Sequence, residues 1–114
     1  YFVYGNDENP LYWTNTTDFA DIIQAAIDNT QVFNRDLPVQ GSEPLTFLQA
    51  GEKYLKAVNP KLKIQHVPVD ANDGRFKTVM GYYEYFNEEL VAKETWELLG
   101  SPKLTAEEFI HSTF

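Results

Sequence analysis

Carboxylates, two histidines and a dense set of tyrosines are the side chains here with chemistry to offer. Asp18 and Asp21 sit three residues apart, and Glu88, Glu89, Glu94 and Glu97 crowd one acidic stretch. A carboxylate pair does general acid–base work only when burial or a neighbour lifts one pKa. Charged side chains are mostly exposed, so these read as helix-capping groups and a solvated face. His66 and His111 stand in different segments with no further donor at ligand spacing. A metal site without Cys needs several His or carboxylates converging, so none is expected. His66 alternates with Leu62 and Ile64, which reads as a core or pocket-lining imidazole. Tyr82, Tyr83, Tyr85 and Phe86 follow one another at helical spacing. Tyrosines on opposite sides of one helix cannot all be buried, so at least one lines a cleft or an interface. Neither the Gly-x-Ser-x-Gly elbow nor a glycine-rich phosphate loop occurs, and no catalytic residue is assigned. Asn15-Thr16-Thr17 is formally an N-glycosylation sequon, which a capping role for Thr17 also explains.

The frame that must hold these residues is small. The 114 residues, 43% hydrophobic and 15% aromatic, allow one domain with one core. Nine Lys and Arg against 17 Asp and Glu give a formal net charge of −8 at pH 7. That balance repels phosphate backbones and anionic membrane surfaces, so neither nucleic acid nor membrane is an expected partner. The absence of cysteine rules out a disulfide framework and a thiol nucleophile; it fits the expected cytoplasmic location and fits many secreted proteins too. The opening Tyr-Phe-Val-Tyr reads as a strand already under way, as though residue 1 were a cut point in a longer protein.

Periodicity supplies the elements. Residues 1–4 and Leu11–Trp13 read as strands separated by the turn formers Gly5 to Pro10. Phe19, Ile22, Ile23, Ala26 and Ile27 form a helical stripe capped by Thr17 or Asp18. Val32–Asn34 and Leu37–Val39 read as extended. Thr46 and Gln49 form a capping box for a helix to Val58, burying Phe47, Leu48, Gly51, Tyr54, Leu55 and Val58. Gly51 costs about 1 kcal/mol relative to Ala within that helix, which points to close approach by a neighbouring element. Leu62 to Val67 alternates as a half-buried or edge strand. A third helix begins at Asn72 or Asp73, with Phe76, Val79, Met80, Tyr83 and Phe86 on one face. Residues 88–99 read as an acidic helix, and Thr105 with Glu108 caps a final one that buries Phe109 and Ile110. The expected fold is α/β or α+β, about four helices around a few short strands.

The order of these segments resembles one family. Asn9-Pro10-Leu11-Tyr12 followed by Thr17-Asp18-Phe19-Ala20-Asp21 resembles the "NPI-x…D-[LV]-A" stretch of extended and atypical, NmrA-like, short-chain dehydrogenases/reductases. Val32-Phe33-Asn34 through Gln40-Gly41-Ser42-Glu43-Pro44-Leu45-Thr46 is similar to that family's "vfnv-x-G-x-E-x-LT" element. Lys63-Ile64-Gln65-His66-Val67-Pro68 resembles its "i-x-x-VP" strand. Leu98-Leu99-Gly100-Ser101-Pro102 with Leu104-Thr105-Ala106-Glu107-Glu108-Phe109-Ile110 is similar to its "LG-x-P-x-x-T-x-EEF" end. The usual His or Val after "NPI" is Tyr12 here.

The resemblance implies a C-terminal, substrate-binding portion of a Rossmann-type protein. NAD(P) would be held by an N-terminal Rossmann domain, and none by this portion alone. The dinucleotide fingerprint and the Tyr-x-x-x-Lys pair are absent from these 114 residues. The expected lining of a small-molecule cleft is Asn9, Pro10, Tyr12 and Trp13, with His66, Tyr82 and Tyr83. An unpaired strand edge would let the isolated chain swap or form a homodimer. The alternative is a stand-alone acidic protein–protein interaction module, docking through Phe76–Phe86 with a rim from Glu88 to Glu97.

Overall fold

A computed structural model describes residues 1–71 and 74–114; the expected start of the third helix at Asn72 or Asp73 lies outside them. Among the described residues the architecture is mixed helix and strand, with five α-helices and short strands. In chain order these are β1 (Phe2–Tyr4), β2 (Leu11–Tyr12), α1 (Thr16–Ile27), β3 (Pro44–Leu45), α2 (Phe47–Val58), β4 (Gln65–Val67), α3 (Gly74–Tyr85), α4 (Lys93–Leu99) and α5 (Ala106–Thr113). Single 3-10 turns occupy Thr30–Val32 and Val69–Ala71.

The strands form two separate pairs. β1 runs parallel to β4, with Phe2 opposite Gln65, Val3 opposite His66 and Tyr4 opposite Val67. β2 runs antiparallel to β3, Leu11 opposite Leu45 and Tyr12 opposite Pro44. Val3 of β1 is fully buried, and Leu45, Leu55, Ile22, Ala92 and Ile110 are the other buried apolar residues of a narrow core. α2 packs on α5, where the rings of Tyr54 and Phe114 meet edge to face at 5.4 Å. α1 packs on α4.

Both expected capping boxes form. Thr46 Oγ1 accepts from Gln49 N while Gln49 Oε1 accepts from Thr46 N, and Thr105 and Glu108 do the same for α5. The neighbour that requires Gly51 is Tyr1, because a Cβ on Gly51 would run into the Tyr1 ring. Tyr1 Oη donates to Phe47 O at 3.0 Å, which fixes the ring over α2.

Several expectations give way, the exposed Val58 at the end of α2 among them. The N-cap of α1 is Asn15, not Thr17 or Asp18: Asn15 Oδ1 accepts from Asp18 N at 2.8 Å. The Asn15 amide donates to Asp18 Oδ2 at 2.6 Å, so a glycan on the sequon would break this contact. The α1 stripe is only partly covered, since Ile22 is buried whereas Phe19, Ile23 and Ile27 are exposed. The acidic stretch becomes helical only from Lys93, because the Gln40 side chain captures the backbone of 89–92 in an open conformation. α3 buries none of its described residues, and Phe76 and Val79 are exposed.

The radius of gyration is 16.3 Å, with extents of 48 × 30 × 21 Å. A compact domain of about this length has a radius near 13 Å. The excess goes with a flat molecule whose large apolar side chains reach the surface.

Candidate functional site

Two parallel strands that end together leave a crevice beyond their carboxyl ends. β1 stops at Tyr4 and continues into Gly5, whose amide donates to Val67 O at 3.0 Å; β4 stops at Val67 and turns at Pro68. α3 lies across this end. The resulting cleft measures about 790 Å³, with His66, Asp70, Lys77, Thr78, Glu84 and Tyr85 as its polar lining. Gly5 has φ +76°, a left-handed conformation that favours glycine, and a Cβ there would collide with Glu84. Glu84 Oε1 accepts from Asn6 N at 3.2 Å, and the Glu84 carbonyl accepts from Asn9 Nδ2 at 2.9 Å. The β1–β2 turn is thus tied to the wall of the cleft. Lys77 pairs with Asp70 at 2.9 Å. His66 is exposed and lines this cleft, so of its two expected settings the core one is excluded.

The expected lining residues do not share one space. Asn9 and Tyr83 border a gap of about 10 Å³, too small for a ligand. Pro10, half-buried, leads into β2. Tyr12 acts through its backbone, its amide donating to Glu88 Oε2 at 2.6 Å. Trp13 Nε1 donates to Leu45 O at 2.7 Å, and the indole borders a second, smaller pocket. Among the described residues, Tyr82 and Tyr83 connect to Trp13 through Phe47. Trp13 meets Phe47 edge to face at 5.1 Å, Phe47 meets Tyr83 at 5.6 Å, and Tyr82 stacks on Phe86 at 5.0 Å. Phe47 is the missed residue that turns separate aromatics into one continuous row; its place in the helical stripe was the available signal.

Three polar residues position these walls. Gln40, 3% exposed, donates through Nε2 to Glu88 Oε1 and to Glu89 O, each at 2.8 Å. Its Oε1 accepts from Val91 N and Ala92 N. Asp18 is also buried, contrary to the solvated reading, and its carboxylate accepts from Lys103 N at 2.9 Å, Leu104 N at 3.3 Å and Asn15 Nδ2. With those acceptor positions occupied, Asp18 clasps α1 to the turn before α5. Asp7, at φ +51°, spends both carboxylate oxygens on α2, accepting from Phe47 N and Leu48 N at 2.8 Å each. A carboxylate there satisfies orphan amides and complements the helix dipole.

The cleft does not suit a dinucleotide by itself. Lys77 is its one Lys or Arg among the described lining residues and is already paired with Asp70; Glu84 adds another carboxylate. Diphosphate recognition instead uses backbone amides of a glycine-rich turn. No three His, Asp or Glu side chains among the described residues are grouped to hold a metal ion. No described helix is long and apolar enough to cross a membrane. No protein-family model matches the chain, and no curated protein or solved structure is significantly similar to it.

Proposed function

We propose that this chain is the substrate-binding, C-terminal portion of a cytoplasmic, NAD(P)-dependent protein of the NmrA-like short-chain dehydrogenase/reductase type. The observation that carries the reading is the parallel pairing of β1 with β4. Two parallel strands alone are marginal, and parallel sheets belong to α/β folds with further strands and helices over both faces. The exposed Phe19, Ile23 and Ile27 of α1 support the same reading as surface for a Rossmann domain to cover. In such folds ligands bind beyond the carboxyl ends of the parallel strands, where this chain has its cleft of about 790 Å³.

In this reading the rest of the protein holds NAD(P), which supplies hydride transfer when bound. The residues of this chain shape the substrate side: Gly5 lets the backbone turn beneath Glu84, and His66 and Thr78 present hydrogen-bonding groups to the cleft. Hydrogen exchange of the full-length encoded protein tests it. NADPH should slow exchange at Gly5–Asn6 and Val67, beside the strand ends. An unchanged pattern across both segments contradicts the reading.

A second reading, the acidic interaction module, draws on α3. Tyr82 is 58% and Tyr85 85% exposed on it. Tyr85→Ser would then weaken capture of a partner while leaving NADPH protection absent in every variant.

A further inference from the structure

Apart from the strand-end cleft, the molecule contains a smaller and more apolar pocket. It lies where the β2–α1 junction, β3, α2 and the start of α5 meet, and it measures about 180 Å³. Its wall is the indole of Trp13, the side chains of Leu45, Leu104, Phe109 and Ile110, and two alanines, Ala50 and Ala106. The alanines leave the space, since each stands on a helix where a larger side chain would fill it.

The polar groups around this wall are already engaged. Trp13 Nε1 donates to Leu45 O, and both ends of the Asn15 amide are held by Asp18. Glu43 accepts from Ala106 N at 3.2 Å and pairs with Lys53 at 3.3 Å. An apolar group therefore enters without stranding a buried donor or acceptor. Only the hydroxyls of Thr14 and Ser42, exposed on the lining, have no hydrogen bond among the described residues. A dry apolar cavity of about 150 Å³ is known to take a benzene ring. The aromatic rings of Trp13 and Phe109 in the lining favour a ring over an alkyl chain.

We propose that this pocket is a binding site for a compact monocyclic aromatic carrying one hydroxyl, with the ring against Ala50, Ala106 and Ile110 and the hydroxyl at Thr14 and Ser42. The proposal stands on the pocket alone and does not depend on the dehydrogenase reading.

The test titrates the full chain with p-cresol and, in parallel, with toluene, following side-chain methyl NMR signals. Saturable shifts at Ala50, Ala106, Leu45 and Ile110 are expected, with p-cresol binding about fivefold more tightly, the worth of one ordinary hydrogen bond. Combining Thr14→Val with Ser42→Ala should erase that preference and leave toluene affinity unchanged. Ala106→Leu should abolish both, and the double variant keeps the test sharp should Ala106→Leu fail to fold. Absence of saturable shifts, shifts confined to the strand-end cleft, or equal affinity for the two probes would each overturn the proposal.

Discussion

Gln40 and Glu88 lie 48 positions apart in sequence, and the amide of one donates to the carboxylate of the other at 2.8 Å. The same carboxylate accepts the Tyr12 amide, so one contact binds β2, the loop before β3 and the segment leading to α4. Gln40→Ala leaves the part-buried amide of Val91 and the buried amide of Ala92 without their acceptor. A loss of about 3 kcal/mol is expected, from two or more unsatisfied groups at roughly 1–3 kcal/mol each. Urea denaturation measures it, and a loss below about 1 kcal/mol contradicts the clasp.

Gly51 and Tyr1 make a coupled pair. Gly51→Ala alone should destabilise the fold, because the new methyl meets the Tyr1 ring. In a Tyr1→Ala background the same substitution should stabilise it by about 0.5–1 kcal/mol, the helix-propensity gain of Ala over Gly. A double-mutant cycle reads this reversal of sign directly.

Asp7→Ala removes the acceptor of two α2 amides and should cost about 1–2 kcal/mol, within the range of helix-cap losses. Asp7→Gly relieves the left-handed backbone while losing the same acceptors, so it should cost less than Asp7→Ala. Thermal melts of the two variants give the order.

Hydrogen bonds from the backbone and then the hydroxyl of Thr105 hold the Glu108 carboxyl below its ordinary pKa. A lowered folded-state pKa contributes stability above the ordinary carboxylate range, and that contribution is lost as pH falls through the lowered value. The protection factors of the α5 amides, taken against the intrinsic exchange rate at each pH, should therefore fall on the acid side, and Glu108→Gln should flatten that dependence. Tyr1 runs the opposite way: burial, then the Asp7 charge, raises its pKa. Its contribution is complete below pH 10.0 and is lost as pH rises through the folded-state value.

Much of this architecture is legible locally. Thr46 with Gln49 and Thr105 with Glu108 are three residues apart, so the sequence alone places the starts of α2 and α5. Gly51 likewise announces a close neighbour without naming it. What local pattern cannot reveal is the partner at long range. Asp7 caps a helix 40 residues away, Gln40 unwinds a segment whose own periodicity is helical, and Asp18 is buried by a turn 85 residues on. The site divides in the same way. Tyr82, Tyr83 and Trp13 announce an aromatic surface, yet only the fold separates Trp13 and its apolar pocket from His66 and the strand-end cleft.

The most direct measurement is a thermal-shift titration with NADPH on two samples, the full-length encoded protein and residues 1–114 alone. A ligand that binds only the folded state adds about 2.7 kcal/mol at a hundredfold excess over its Kd. The account predicts that the full-length protein is stabilised and the 114-residue chain is not, because these 114 residues contain no glycine-rich, phosphate-cradling loop. A full-length protein indifferent to NADPH, or a shift in the 114 residues alone, would contradict it.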